Sequence, residues 1–272
     1  MGIVPQFGRH HVGLRYNYQQ FETRHFSSFV EGEALETSIE RFHTTEVFGS
    51  YFPHPRVQIL SSMPFTYRSQ VSNQSGSFTG YGIGDMQIGA VYTPIATPDT
   101  IGKKVRHNVM IGSILKLPTG QTGLKQGQEL LHRNLQPGTG SWDVDFNVRY
   151  ILRIKRWGIS SLVNYRLNTT ADNYKFGDRI TGMLGAFYWT RFKNVTLIPQ
   201  LAVNADYAFR DVENNRFQSL TGGYLVNARA EMQVGYKRFM ASVGYGLPVY
   251  YNLNSGEVRP VHQCNVSLLV FI

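Results

Sequence analysis

The stretch YLVNARAEMQVGYK, residues 224–237, alternates between two kinds of side chain over its whole length. One face carries Tyr224, Val226, Ala228, Ala230, Met232, Val234 and Tyr236, and the other carries Leu225, Asn227, Arg229, Glu231, Gln233, Gly235 and Lys237. A helix would sort residues with a period of 3.6, whereas a strand sorts them with a period of two. The stretch is therefore predicted to be a β-strand with one apolar and one polar face.

The same alternation recurs along the chain and predicts an all-β protein with twelve strands. These strands cover residues 10–20, 42–52, 57–69, 80–93, 105–119, 139–154, 157–170, 178–192, 195–211, 222–238, 240–253 and 259–272. Short turns alternate with longer loops, of which 21–41 and 120–138 are the longest, and residues 31–39 could form a helical turn. No linker rich in Pro, Gly or Ser divides the chain, so we predict a single domain over residues 1–272.

The composition is low in charge but biased in its sign. Charged residues make up 17% of the chain, and 27 Lys and Arg against 18 Asp and Glu give a formal net charge of +9. The single cysteine, Cys264, excludes a disulfide scaffold and a cysteine-rich zinc protein. The longest apolar run, Leu268–Ile272, is far shorter than the ~20 residues of a membrane-spanning helix. The N-terminus lacks the pattern of a signal peptide, and we expect the numbering to begin after a cleaved leader.

Three features favour a membrane barrel over a soluble β-protein, which stays the less favoured alternative. The polar faces carry many charges at central positions, and twelve strands enclose a lumen too wide for a simple apolar filling. Short turns alternate with long loops, as in outer-membrane barrels. Tyr224 and Tyr236 cap an apolar face whose twelve residues, at ~3.3 Å each and tilted by ~40°, span roughly 30 Å. We predict a twelve-stranded antiparallel transmembrane β-barrel of the bacterial outer membrane, with periplasmic turns and extracellular loops.

The charged residues on the polar faces are predicted to line the lumen and to set its selectivity. They are Arg15, Asp85, Lys116, Asp143, Asp145, Arg149, Arg166, Arg179, Asp206, Arg229 and Glu231.

A second set of basic residues gathers at the short turns and is predicted to form a periplasmic basic rim. Its members are Arg56, Lys103, Lys104, Arg106, Lys155, Arg156, Arg191, Lys193, Lys237 and Arg238. The first long loop is acidic instead, with Glu22, Glu31, Glu33, Glu36 and Glu40. We expect the rim to contact outer-membrane lipids through the phosphates of anionic phospholipids, and an acidic periplasmic or outer-membrane protein is the alternative partner. The charge does not indicate binding to nucleic acid.

Neither a metal site nor an enzyme is predicted, and no cofactor is expected. The adjacent His10 and His11 would point to opposite faces of a strand, His25 and His43 complete no ligand motif, and no HxH or HExxH spacing occurs. A lipid-modifying barrel with a serine nucleophile needs a neighbouring histidine base, but His107 and His262 have no serine two residues away.

Three short motifs stand around the second long loop. They read Gly-Ile-Gly-Asp at 82–85, Lys-Leu-Pro-Thr-Gly at 116–120 and Gly-Thr-Gly-Ser-Trp-Asp at 138–143. The motifs resemble the G-x-G-D, K-x-P-T-G and G-T-G-x-x-D segments of the outer-membrane transporter family named for the phenol meta-cleavage pathway. The resemblance covers mainly residues 80–170 and implies an outer-membrane barrel that passes small organic solutes.

The second long loop, 120–138, could fold into the lumen and narrow it. Pro118 and Pro137 end the strands on either side of it. Asp85, Asp143, Asp145 and Lys116 share the lumen phase, and the first hypothesis is a charged cluster joined by Arg149 or Arg166. The favoured alternative is a set of salt bridges that rigidify and plug the barrel, because mixed signs pair whereas one-sided rings select ions.

Together these observations predict a narrow, passive outer-membrane channel for small solutes. The alternative is a non-conducting structural or accessory subunit of a larger outer-membrane complex.

Overall fold

The computed structural model describes residues 9–25, 36–97 and 104–272. Two 3₁₀ turns lie at Arg133–Leu135 and Asn254–Gly256. The strands are β1 His11–His25, β2 Glu36–His54, β3 Val57–Ser72, β4 Gly76–Ile83, β5 Gln87–Ala96, β6 Val105–Lys116, β7 Lys125–Gln126, β8 Glu129–Leu130, β9 Asp143–Ile154, β10 Trp157–Leu167, β11 Tyr174–Lys175, β12 Arg179–Tyr188, β13 Thr190–Phe192, β14 Val195–Ala208, β15 Val212–Glu213, β16 Arg216–Phe217, β17 Gly223–Tyr236, β18 Phe239–Leu253 and β19 Val258–Phe271.

The main sheet closes on itself, because β1 pairs antiparallel with β19 as well as with β2. It contains 14 strands. β4 and β5 are two parts of one wall strand, and so are β12 and β13, so twelve wall positions result. The predicted twelve-stranded antiparallel barrel is confirmed. Closure gives every wall strand a neighbour on both sides. The backbone N–H and C=O groups of each strand can therefore form hydrogen bonds within the sheet, which lipid could not provide.

The apolar phase of the strands faces outward, as predicted. On β14, Leu201 is 70% exposed, while Ile198 and Gln200 on the other phase are buried. The same sorting exposes Val148 on β9, Leu184 on β12 and Leu268 on β19. A continuous apolar exterior is typical of transmembrane β-barrels and rare among soluble monomers. No helix within the described ranges is long and apolar enough to cross a membrane.

Exposed aromatic side chains form two girdles on this exterior, one near each end of the barrel. The girdle near the short turns contains Tyr51, Tyr92, Trp157, Phe192 and Tyr236. The girdle towards the long loops contains Tyr81, Trp142, Tyr165, Tyr207 and Tyr250.

Two stretches differ from the predicted strand boundaries. Residues 21–25 and 36–41, predicted as loop, pair with each other as extensions of β1 and β2, so the helical turn at 31–39 is wrong for residues 36–39. Residues 26–35, which include Glu31 and Glu33, lie outside the described residues. The predicted strand 80–93 breaks at residues 84–86, because the Ile83 carbonyl accepts a hydrogen bond from the Gln121 N–H instead of from a wall strand.

The inner face near the short turns is more apolar than a uniformly polar lumen would be. Ile151, Phe187 and Ile198 form one buried cluster against Trp189. Met240, Leu269 and Phe271 form a second against Phe48. Charged and amide side chains occupy the lumen between these clusters and the long loops.

Candidate functional site

The second long loop folds back along the inner wall of the barrel. It leaves β6 after Lys116, returns to β9 at Asp143, and is called the plug loop here (residues 117–142). Its side chains Leu131 and Leu135 are buried. The wall residue beneath them is Gly80, where a Cβ atom would collide with the Leu135 carbonyl oxygen. Since the neighbouring Tyr81 points outward, the plug loop lies on the lumen side of β4.

Arg68 on β3 anchors the tip of the plug loop. Its Nη1 donates to the backbone carbonyl oxygens of Asn134, at 2.9 Å, and Gln136, at 2.8 Å. Gln136 in turn donates through Nε2 to the carbonyls of Leu124, at 3.0 Å, and Leu131, at 2.9 Å. Arg68 was not among the predicted lumen residues. The only feature of the sequence that could have indicated its position in the lumen is its place on the inward-facing phase of β3.

The plug loop also contacts the long loops on the other side of the barrel mouth. Arg133 lies 3.8 Å from a carboxylate oxygen of Glu213 on β15 and 4.3 Å from the ring centroid of Tyr174 on β11. Burial, followed by the hydrogen bond to Asp211, raises the pKa of the Tyr174 phenol, so it remains a donor at neutral pH. The plug loop therefore bridges two sides of the mouth.

A buried ionic cluster, called the clamp here, fixes the base of the plug loop to the wall. It consists of Asp85 in the break between β4 and β5, Lys116 at the end of β6 and Asp143 at the start of β9, all below a tenth exposed. The Lys116 ammonium lies 3.2 Å from Asp85 Oδ2 and forms a second ion pair with Asp143. The favoured interpretation of mixed charges as salt bridges thus describes these three residues.

Backbone and hydroxyl groups satisfy the remaining oxygens of the clamp. Asp85 accepts hydrogen bonds from the N–H groups of Gly120 and Thr139, both at 2.9 Å, and from the Thr139 hydroxyl at 2.7 Å. Asp143 accepts from the Ser141 hydroxyl and from the Thr169 N–H, both at 3.0 Å. Both carboxylates are therefore charged acceptors held by several donors, which is what makes a buried ion pair tolerable.

The three sequence motifs meet at the clamp. A Cβ atom on Gly120 would stand 2.6 Å from the Cα of Gly138, and one on Gly138 would stand equally close to the Gly120 backbone. The two ends of the plug loop therefore touch where only glycine fits. The motif residues Asp85, Lys116 and Asp143 supply the charges, so the motifs form the base of the plug loop.

The other predicted lumen residues form two further groups. In the first, Arg166 donates to Asp145 through Nε at 3.0 Å and Nη2 at 2.7 Å, a bidentate pair. Arg179 lies within electrostatic range of Arg166, Asp206 and Asp145, and Asp206 accepts a hydrogen bond from Thr181 at 2.8 Å. Arg166 also interacts electrostatically with Asp143 of the clamp.

The second group crosses the lumen and is called the central charge group here. Its members are Arg15, Glu46, Arg149, Arg229 and Glu231. Arg15 pairs with Glu46 at 3.0 Å, and Arg229 pairs with Glu231 at 3.3 Å. Arg149 on β9 interacts electrostatically with Glu231 on β17 and with Arg15 on β1. Because β9 stands several strands from both, the Arg149 side chain extends into the lumen towards its far side.

Amide side chains line the wall beside the central charge group. Asn204 and Asn227 lie directly opposite each other on β14 and β17, with Gln200 and Gln233 on the same inner faces. The side-chain carbonyl oxygens of these four residues are buried, and among the described residues none has a hydrogen-bond partner. Because these oxygens are covered by the protein, they belong to the packed wall and are not open to a solute in the lumen.

The histidines near the start of the barrel contact aromatic rings. The His10 ring stacks on Tyr51 with centroids 4.9 Å apart, whereas His11 packs edge-on against Phe271 at 6.0 Å. His43 forms a 2.7 Å hydrogen bond with the Tyr16 hydroxyl. Over the described ranges, no three His, Cys, Asp or Glu side chains come together as a metal site.

Most of the predicted basic rim lies at the short-turn end. Lys104, Lys155, Lys193 and Lys237 are exposed there, together with the arginines Arg56, Arg156, Arg191 and Arg238. Arg106 is half-buried, and Lys103 lies outside the described residues.

Two solved structures have the same architecture. An outer membrane channel from Pseudomonas putida F1 superposes with a TM-score of 0.71 at 10% identity, and the match covers 100% of both chains. The β-domain of the Bordetella autotransporter BrkA superposes with a TM-score of 0.52 at 9% identity, over 96% of this chain and 99% of that one. No protein-family model and no curated protein sequence matches the chain. The fold of this chain is that of the outer-membrane β-barrels.

Proposed function

We propose that this chain is a narrow, passive outer-membrane channel for small polar or charged organic solutes, closed at its outer mouth by the plug loop. The observation that carries the proposal is the set of lumen arginines: Arg15 and Arg229 are partly exposed, and Arg149 extends towards them from the other side of the barrel. A barrel with a purely structural role could fill this space with apolar side chains, as it does near the short turns.

The resemblance to the phenol meta-cleavage transporter family supports the same class of solute. Its motifs build the clamp at the base of the plug loop, so the resemblance falls on the part of the barrel that would control passage. A phenol-derived acid has a carboxylate that the lumen arginines could bind. The outer membrane is accordingly the proposed location.

Replacing Gly80 with Ala tests whether the plug loop closes the channel. The new methyl group would collide with the Leu135 carbonyl, and overpacking of this kind costs roughly 1–3 kcal/mol. The barrel wall is unaffected, because the collision lies on the lumen side. We expect more frequent and larger conductance steps in planar bilayers, together with faster proteolysis within residues 117–142.

Gly182→Ala is the matched control, since the nearest atom to its new Cβ would be the Ala205 carbonyl oxygen at 4.0 Å. It should conduct like the unmodified protein. If Gly80→Ala exposes the plug loop to protease but conducts no current, the channel proposal fails, and the non-conducting accessory subunit is favoured.

A further inference from the structure

Three of the short turns place a lysine where the backbone disfavours it. Lys155, Lys193 and Lys237 each begin a two-residue turn with a positive φ of 54°, 51° and 52° respectively. In this left-handed region the Cβ atom crowds the backbone, and Gly or Asn is preferred. The same costly choice is made at three turns in succession around the barrel, between β9 and β10, between β13 and β14, and between β17 and β18. Packing does not require it, since all three side chains are exposed.

The lysines lie immediately beyond the aromatic girdle of the short-turn end. The Lys193 ammonium lies 5.7 Å from the Phe192 ring centroid, and the Lys237 ammonium lies 5.2 Å from that of Tyr236. Aromatic girdles mark the level of the lipid headgroups. The ammonium groups are therefore held at the depth of the phospholipid phosphates.

Further positive charge accompanies these lysines without acidic residues beside them. Arg156 and Arg238 follow directly in two of the turns, and Arg191 precedes the third. Residues 151–158, 187–196 and 234–240 contain no Asp or Glu. Among ion pairs of the described residues, none involves Lys155, Lys193 or Lys237. The positive charges of these lysines are therefore not neutralised by acidic side chains nearby and face the surroundings of the barrel.

We propose that the three lysine turns form a binding surface for anionic phospholipid headgroups in the periplasmic leaflet. Adjacent turns are two strands apart, roughly 10 Å, so that a phosphate can lie between the cations of two turns. Each lysine near an anionic surface contributes about a fivefold preference. This surface is independent of the lumen, so the proposal does not depend on conduction.

Tryptophan quenching by brominated lipids measures this preference at a chosen end of the barrel. A Trp142→Phe, Trp189→Phe variant leaves Trp157, which is 66% exposed beside the first lysine turn. A Trp157→Phe, Trp189→Phe variant leaves Trp142, which is 53% exposed near the long loops. In vesicles of zwitterionic lipid, brominated phosphatidylglycerol should associate at Trp157 at least about fivefold more strongly than brominated phosphatidylethanolamine, the contribution of one cation alone. The ratio at Trp142 should be near one.

Neutralising three of the cations around Trp157 should reduce the preference. Lys155→Asn, Arg156→Gln and Lys193→Asn together should lower the Trp157 ratio towards one, and Asn suits the left-handed turns, so folding is preserved. The charge-conserving set Lys155→Arg, Arg156→Lys and Lys193→Arg should keep the ratio. Lys237→Asn with Arg238→Gln should leave Trp157 unchanged, because that turn is farther around the barrel.

Equal ratios at Trp157 and Trp142, or an unchanged ratio in the neutralised variant, would overturn the proposal. So would a ratio near one accompanied by rim-dependent capture of an acidic periplasmic protein, since the turns would then serve a protein partner.

Discussion

Lys116→Met is expected to lower the free energy of unfolding by about 3–5 kcal/mol, the usual consequence of removing one partner from a buried ion pair. The substitution leaves Asp85 and Asp143 facing each other below a tenth exposed, with no cation between them. Repulsion and desolvation should separate the two ends of the plug loop, which these carboxylates hold. Urea unfolding in lipid vesicles, followed by tryptophan fluorescence, measures the loss.

The triple variant Asp85→Asn, Lys116→Met, Asp143→Asn is the matched control, because it removes all three charges together. Removing all three charges leaves no uncompensated buried charge, so part of the loss should be recovered, while each Asn keeps only one of the two acceptor oxygens of the Asp it replaces. Lys125→Met alters an exposed lysine of the same plug loop and should change nothing. An unfolding midpoint of Lys116→Met equal to that of the unmodified protein would show that the clamp contributes no stability.

The wall of the barrel could be predicted from the sequence because the alternation of apolar and polar residues in each strand indicates which face contacts lipid. The alternation in residues 224–237 places Arg229 and Glu231 inward and Met232 and Val234 outward, and the structure has this arrangement. The count of twelve strands follows from repeating the same argument. Period two is a local property of a strand, so it does not depend on which strands become neighbours.

The contents of the lumen could be predicted only in part, because they depend on contacts between distant segments. The inward phase indicates that Lys116 and Arg149 enter the lumen, but not that Lys116 meets two carboxylates while Arg149 reaches towards Glu231. Arg68 lies on the same phase, and its bonds to Asn134 and Gln136 depend on how the plug loop folds. The alternation within a strand therefore cannot predict which side chains will contact each other across the lumen of a closed barrel.

Arg149→Gln is expected to raise conductance and to shift ion selectivity towards cations. The central charge group has three basic and two acidic members, a net charge of +1, and the substitution reduces it to zero. Glutamine is also shorter and extends less far into the lumen. Rings of charge and side chains at a constriction govern both selectivity and current. Planar-bilayer recordings in a salt gradient measure both through the conductance and the reversal potential.

Arg149→Lys keeps the charge and should retain the selectivity, while Arg216→Gln, on an exposed strand of a long loop, should change neither quantity. The plug loop and Arg149 lie along one path, so their resistances add. When either obstacle alone is removed, the other still limits the current. The double variant Gly80→Ala, Arg149→Gln should consequently gain more conductance than the two single variants together. Gains that are merely additive would mean that ions bypass one of these two constrictions, and no selectivity change in either background would remove Arg149 from the conducting path.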